Sequence, residues 1–571
     1  MRTEAIEEPG QLLSSWKEIA AYLGRTIRTC QRLESVMGLP VHRLDGSPKA
    51  HVFAYRNELD AWMAQKVDEH EQGPKRSPRF VLFMLAGLAG VVAVAALAVV
   101  VLRPRPDARS VAVLPFDDLS PKPASEHFAA GITEGLTDGL ARIRGLQVTG
   151  RMSASAVKDR KLDAREAGRV LKVRNLIEGN VQVAEGRLRV TARLVNARSR
   201  FVRWTESYDR PIEDFFDVKD GITKAVVSEL GIILSAGEES ALVKRPTSDM
   251  RAYELYLTGR YHLGRPRPEA PGLALRFFEE ALRRDPRFAL AKVGMAGVHL
   301  NMLTLLVARA NDAGPKAEAA AREALALEPD LAEAHAVNAW LQFVYKWDWA
   351  AAEREFLRAL ELKPGDAVTR GWYAFFLFSR RRFDDARIEI KRALVADPLG
   401  ASLYGFSMWI HMYTGGTDEV LKDFKKVQQI EPDYSFAYFG AGLAYWIQGR
   451  IDESVEMFKK ASLMPGTRGW PEAGLVAAYL RKGDRKSAED VYAKLLRRSE
   501  EAGGLSPVHV AWAAAAMGDI DRAAELMETA VQERDPPVLT VHITAETLVP
   551  QLVSDPRFQA ILDSVGLPRA R

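Results

Sequence analysis

Arg28, Thr29 and Arg32 fall at i, i+1 and i+4, so on a helix they share one edge. Arginine on such an edge can reach guanine in a DNA major groove through two parallel N–H bonds, while lysine holds phosphate as a point charge. Lys17, Arg25, Arg43 and Lys49 stand around it. Lys17, Arg25, Arg28, Arg32, Arg43 and Lys49 together face only Glu18, Glu34 and Asp45, six positive charges against three negative. The chemistry these residues could do is recognition of a nucleic acid; a solvated basic face on a small helical domain is the plain alternative. Little elsewhere competes. The ten histidines are scattered without His-Glu-x-x-His spacing, and one cysteine, Cys30, excludes an intramolecular disulfide and a cysteine-built zinc site. Cys30 itself reads as a small core residue. No nucleophile comes with a base and its orienting partner. The expectation is a non-enzyme with no catalytic residue, cofactor or metal.

Several short elements must position that basic edge. Ser15-Trp16-Lys17-Glu18 is a capping box for a helix Trp16 to Leu23, which Gly24 ends. A second helix runs from about Thr26 to Met37, with Ile27, Cys30 and Leu33 on the side away from the arginines, and Gly38-Leu39-Pro40 stops it. Val41 to Leu44 and His51 to Tyr55 read as a hairpin wing, and Arg56 to Lys66 as a closing helix with Leu59, Trp62 and Met63 inward. The run SSWKEIAAYLGRTIRTCQRLESVMGLPVHRL, then GSPKAHVFAYRNELDAWM, resembles the excisionase or MerR-like winged helix-turn-helix family over about fifty residues. That family commonly has a tryptophan and then a basic residue around Arg32–Glu34; here Leu33 and Ser35 stand, with less core volume and one phosphate contact fewer. The resemblance implies a DNA-binding domain over residues 11–66, with Lys17, Arg25, Arg28, Thr29, Arg32, Arg43 and Lys49 as its DNA-facing residues.

Residues 67–79 are a charged linker with Gly73, Pro74 and Pro78. Phe80 to Leu102 then holds 23 residues without a charge or a proline. As a helix it would extend about 34 Å at 1.5 Å per residue, enough for a hydrocarbon core of about 30 Å. A single transmembrane helix is expected there. Flanking charges do not orient it, with Lys75, Arg76 and Arg79 on one side and Arg103, Arg105 and Arg109 on the other. DNA lies only on the cytoplasmic side, so a DNA-binding head places the amino terminus inside and residues beyond 103 outside.

Residues 108–235 alternate strand and helix patterns. Ser110 to Phe116 and Gln147 to Thr149 read as strands, Ser125 to Ile143 and Ala164 to Leu171 as helices. Leu176 to Val183 and Leu188 to Val195 make a hairpin around Glu185-Gly186, Phe201 to Tyr208 a further strand and Ile212 to Leu230 a closing helix. Asp117 and Asp118 follow the first strand as a phospho-acceptor pair would. Without a matching lysine or threonine pattern they read as a solvated loop. Trp204 and Tyr208 read as sheet packing. The segments SVAVLPFDDLS, HFAAGITEGLTDGLARIRGLQVTGR and LIEGNVQVAEGRLRVTARLVNARSRFVRWTESYDR resemble the TolB-type amino-terminal domain, which implies a non-catalytic α/β module.

From 247 to 571 the chain repeats. Pro329, Pro364, Pro398, Pro432 and Pro465 follow helix-like segments at intervals of 35, 34, 34 and 33, and a period near 34 is the tetratricopeptide signature. Within the repeats Trp340, Ala352, Phe356 and Ala359, or Tyr438, Gly442, Tyr445, Phe458 and Ala461, resemble the family's alternation of small and aromatic residues. Seven or eight units are expected, and DPRFQAILDSVGLP looks like a solenoid cap. Gly440-Ala441-Gly442 lacks the third glycine of a dinucleotide loop, with Tyr445 in its place, and reads as helix packing. His335 and His411 read as ordinary repeat residues.

The expected architecture is multidomain: a winged helix-turn-helix, a single transmembrane helix, an α/β TolB-type domain and an all-α tetratricopeptide solenoid. The layout resembles a bacterial one-component transcriptional regulator in the inner membrane, amino terminus cytoplasmic and carboxyl terminus periplasmic. DNA, the lipid bilayer and a protein or peptide on the solenoid are its expected partners, with pairing of two copies as a way to raise DNA affinity. The alternative is a non-enzymatic envelope scaffold whose head binds protein or is vestigial.

Overall fold

The computed structural model describes residues 11–44, 51–71, 107–121, 126–242, 245–263, 269–304, 308–464, 467, 469–500 and 505–569. The span 80–102 and Lys49 lie outside these residues. The chain divides into two compact units, 1–105 and 106–571.

In the first unit, helix α1 (Trp16–Tyr22) begins where the Ser15 hydroxyl accepts the Glu18 amide and the Glu18 carboxylate accepts the Ser14 amide at 2.8 Å. Helix α2 (Ile27–Met37) starts on Thr26 and ends on Gly38, whose φ of 67° is left-handed backbone that glycine adopts without strain. Strand β1 (Leu12–Leu13) and strand β2 (His42–Arg43) flank strand β3 (Val52–Tyr55) in an antiparallel sheet of order β1-β3-β2. Helix α3 (Arg56–Glu71) follows directly. Ile19, Ala20, Cys30, Leu39, Ala54 and Leu59 form the buried core, and the Trp62 indole donates to the Met37 carbonyl at 3.1 Å, tying α3 to the end of α2. Ile27 does not join this core as expected: it is 43% exposed. Its place is the first turn of α2, beyond the reach of a core that takes only Cys30 fully from that helix.

The second unit opens with a mixed sheet of order β6-β4-β7-β8-β9, from β4 (Ser110–Val113), β6 (Gln147–Val148), β7 (Asn175–Ala184), β8 (Arg187–Asn196) and β9 (Val202–Pro211). The short β5 (Asp117–Asp118) also pairs with β7. β4 is parallel to β6 and β7, which requires crossover helices. β7 and β8 form the expected hairpin around Glu185-Gly186, both at positive φ. Helices Glu126–Ala141 and Phe215–Glu229 cover one face, with Ile132, Leu136, Phe215 and Ile222 against Leu188, Val190 and Ala192. Helices Arg151–Asp159 and Ala164–Leu171 pack at Ala112, Leu114 and Leu176 on the other side.

Eight helix pairs follow among the described residues, from Met250–Leu263 with Ala270–Arg284 to Pro507–Met517 with Ile520–Gln532. Small residues admit aromatic rings between them. A Cβ on Gly442 would stand 2.6 Å from the Phe458 ring and one on Gly474 2.9 Å from it; Phe278 sits likewise between Gly259 and Gly294. Gly440-Ala441-Gly442 lies inside the helix Ser435–Ile447, as helix packing requires. The helices Val538–Leu548, Pro550–Val553 and Pro556–Ser564 end the chain. They do more than cover the last repeat. Trp349 donates to the Val565 carbonyl at 3.1 Å, Arg380 to that of Gly566 at 2.7 Å, and Tyr413 to that of Ile543 at 3.2 Å, so the tail turns back onto the third to fifth pairs.

Candidate functional site

On α2, Arg28, Thr29 and Arg32 are exposed, opposite buried Cys30. Neither arginine forms an ion pair with a described residue. Thr29 shares a hydrogen bond of 2.8 Å with the capping Thr26 hydroxyl. Lys17 and Arg25 are exposed as well. Arg43 departs from its expected role: its guanidinium grips Glu34 with both terminal nitrogens, one at 3.0 Å, and both side chains are about three-quarters buried. The cause is the β2 register, which turns Arg43 towards the last turns of α2. Val36, not singled out from the sequence, is 71% exposed and extends the Arg28–Arg32 row by another i+4 step. That spacing was its signal.

Where the α/β module meets the solenoid, charged groups are buried and paired. Lys363 reaches Asp138 and, at 3.1 Å, Glu333, and Arg142 reaches Glu333 at 3.0 Å. Burial pushes the Glu333 carboxyl up, but Arg142 and Lys363 outweigh it and hold the group well below the usual carboxylate range. Burial likewise disfavours the Lys363 cation, and Asp138 and Glu333 reverse that. Asp397, 1% exposed, accepts both the amide (2.9 Å) and the hydroxyl of Ser153. The helix Arg151–Asp159 begins at Gly150 with no side-chain cap of its own, so Asp397 caps it from the solenoid. A Cβ on Gly150 would collide with that carboxyl at 2.3 Å. Asp138, Gly150, Glu333, Lys363 and Asp397 line a cavity of about 420 Å³.

The first helices of the repeats build a second cavity, of about 540 Å³. Trp372 and Phe375, Phe406 and Trp409, Phe436 and Phe439, and His509 and Trp512 are each three residues apart, so each pair shares the inward face of its helix. Trp340 stacks on Trp372 with ring centres 5.1 Å apart, Phe375 on Phe406 at 4.8 Å, and Trp470 meets Phe439 edge-on at 4.7 Å. No Asp, Glu, Lys or Arg lines it among the described residues, and Pro536, Pro537 and Leu539 close one side. Trp409 and Trp512 are 6% and 4% exposed, and their indole N–H groups have no acceptor among the described residues. Such an unmet buried donor costs about 1–3 kcal/mol. The sequence carried a trace of this lining: Trp340, Trp372, Phe406, Phe436 and Trp470 recur at 32, 34, 30 and 34 residues. The two cavities share Gly297, Val337 and Trp372 in their walls.

Two other groupings are structural. Ser407 and Asp423 approach His411, with Asp423 on Nδ1 at 2.9 Å, but Ser407 donates to Asp423 at 2.7 Å and lies nearest the same ring nitrogen. A catalytic triad needs serine and aspartate on opposite nitrogens. Asp117 pairs with Lys158 at 2.8 Å on the surface, a lysine the local pattern did not announce. Trp204 and Tyr208 pack as sheet residues, Tyr208 against Gly221.

The sequence profile of the tetratricopeptide repeat matches residues 437–464, and the carboxyl-terminal region is a helical solenoid of that type. A protein named "Putative adenylate cyclase 3" from Rhizobium meliloti (strain 1021) is 35% identical over 195 residues, 34% of this chain. The chain spans about a third of that relative's length, 33%. Among solved structures, Pseudomonas aeruginosa pilF is 16% identical, covering 38% of this chain and 93% of its own, with a TM-score of 0.30. Yeast Tom70 is 15% identical over 62% of this chain and 82% of its own, with a TM-score of 0.34.

Proposed function

We propose that this chain is a membrane-anchored transcriptional regulator in which the 80–102 segment joins a cytoplasmic DNA-binding head to a binding body on the far side. The observation that carries the reading is the exposed row Arg28, Arg32 and Val36, held on a helix whose other face enters a separate core. Two arginines that form no ion pair with a described residue and an apolar tip suit base edges and the thymine methyl group. The body supports a binding role over a catalytic one: the aromatic cavity has no charged lining among the described residues, and the junction's Glu333, Lys363 and Arg142 are engaged with one another. Cyclase chemistry belongs by name to the relative alone.

Electrophoretic or fluorescence binding to selected and random duplexes, at two salt concentrations, tests the head. Residues 1–72 bind weakly with strong salt dependence, and Arg28→Ala or Arg32→Ala loses about 1–3 kcal/mol on the selected site. Lys49→Ala weakens all sequences alike. No salt-sensitive binding to any duplex leaves the envelope scaffold in its place.

A further inference from the structure

The cavity inside the solenoid has properties that select its occupant, and a role for that occupant rests on the reading of the body as the part that receives a signal. Its volume of about 540 Å³ falls in the range of small-molecule sites, roughly 300–1,000 Å³. A docked protein would need an open face able to bury on the order of 1,000 Å². Here Pro536, Pro537, Leu539 and Thr540 close one side of the lining, and the tail that follows is hydrogen-bonded to the third to fifth helix pairs. The described lining carries no Asp, Glu, Lys or Arg, and His509 is its one basic side chain, so a carboxylate, phosphate or ammonium would lose its hydration with no permanent counter-ion to meet it. Aromatic rings dominate the walls, and Trp340, Trp372, Phe406, Phe436 and Trp470 keep part of their surface uncovered. Trp409 and Trp512 add two indole donors that no described residue satisfies.

From these features we infer that the solenoid cavity binds a small, uncharged, largely apolar molecule that carries a carbonyl, ether or hydroxyl oxygen. The apolar part replaces contact between the rings and water. The oxygen accepts from Trp409 or Trp512 once an indole turns to meet it, supplying the acceptor that neither indole finds among the described residues. A hydrocarbon would fill the space and leave both donors unmet. Trp372 and Val337 also belong to the wall of the charged junction cavity, so an occupant that moves them acts on the contact between the solenoid and the α/β module.

Three probes of similar shape separate the contributions: 2-acetonaphthone (an acceptor), 2-ethylnaphthalene (none) and 2-naphthoate (a charge). Binding to the full chain is followed by tryptophan fluorescence. The ketone binds about ten-fold more tightly than the hydrocarbon, and the carboxylate more weakly than both. In the Trp409→Phe, Trp512→Phe double variant the ketone falls to the hydrocarbon's affinity while the hydrocarbon keeps its own, a split that a damaged cavity would not give. Ser435→Phe, which fills the space from its rim, abolishes binding of all three. Absence of binding, equal affinities for ketone and hydrocarbon, strongest binding of the carboxylate, or unchanged binding in Ser435→Phe would each overturn the inference. Displacement of the ketone by an uncharged apolar peptide that itself binds more tightly would overturn the small-molecule assignment in favour of a peptide. Duplex binding by the head is read separately, so it survives or fails on its own.

Discussion

Arg28 and Arg43 look alike in the sequence, two arginines in a small basic domain, and the structure gives them different work. Arg28 is exposed and forms no ion pair with a described residue, whereas Arg43 is engaged by Glu34. Arg43→Ala is therefore expected to lower the stability of residues 1–72 by about 1 kcal/mol, the upper end for a partly covered ion pair, and to leave the ranking of duplexes unchanged. A selectivity profile altered by Arg43→Ala would return it to the DNA-facing set. His542 offers a second test at this scale. Burial, then Arg381 and Arg380, drive its imidazole down to about 3, against a smaller upward pull from a hydrogen bond with the Ser379 backbone. A depressed folded-state value stabilises the fold above the unfolded value near 6.5, and that contribution fades as pH falls towards 3. Each unit of acidification in that window costs up to about 1.4 kcal/mol. Thermal unfolding of the full chain at pH 7.5 and pH 5 should show a steeper loss in the native protein than in His542→Leu; equal losses would remove His542 as the cause.

At the scale of elements, what local chemistry signals was legible and what distant groups supply was not. The capping box at Ser15, the Gly38 stop and the Glu185-Gly186 hairpin carry their instructions in adjacent residues, and those elements lie where they were expected. The helix Arg151–Asp159 went unanticipated because its start has a glycine in place of a capping side chain and receives Asp397 from 244 residues away. Asp397→Ala should cost about 1–3 kcal/mol, since it leaves the buried Ser153 amide without its acceptor and the hydroxyl, which still accepts from the Leu399 amide, without a group to donate to. Hydrogen exchange within 151–159 should then speed up while 164–171 keeps its protection; unchanged exchange would show that the helix does not depend on the solenoid. The aromatic lining was half legible, as rings spaced near the repeat period. The return of the tail was not, because it bonds largely to backbone carbonyls, which every residue has. Within a repeat, Gly442→Ala places a methyl 2.6 Å from Phe458 and should destabilise by about 1–3 kcal/mol through overpacking. An unchanged unfolding midpoint would mean that the ring has room to move.

For the molecule as a whole, the two compact units have separate cores, and the α/β module and solenoid share one. Phe278 and Phe288 of the first repeats pack in the same cluster as Ile132 and Phe215 of the module. A change inside the solenoid therefore has a continuous packed route to Val111 and Val113 of the module's first strand. Two heads brought together by such a change would bind a paired site more tightly through effective concentration alone, with no new contact to DNA. All of this requires that head and body lie on opposite sides of a membrane, which a reporter active only in the periplasm tests directly. Fused after Arg109 it should be active, and fused after Gln72 it should be silent. Activity after Gln72 with silence after Arg109 would place the head away from DNA and contradict the regulator account.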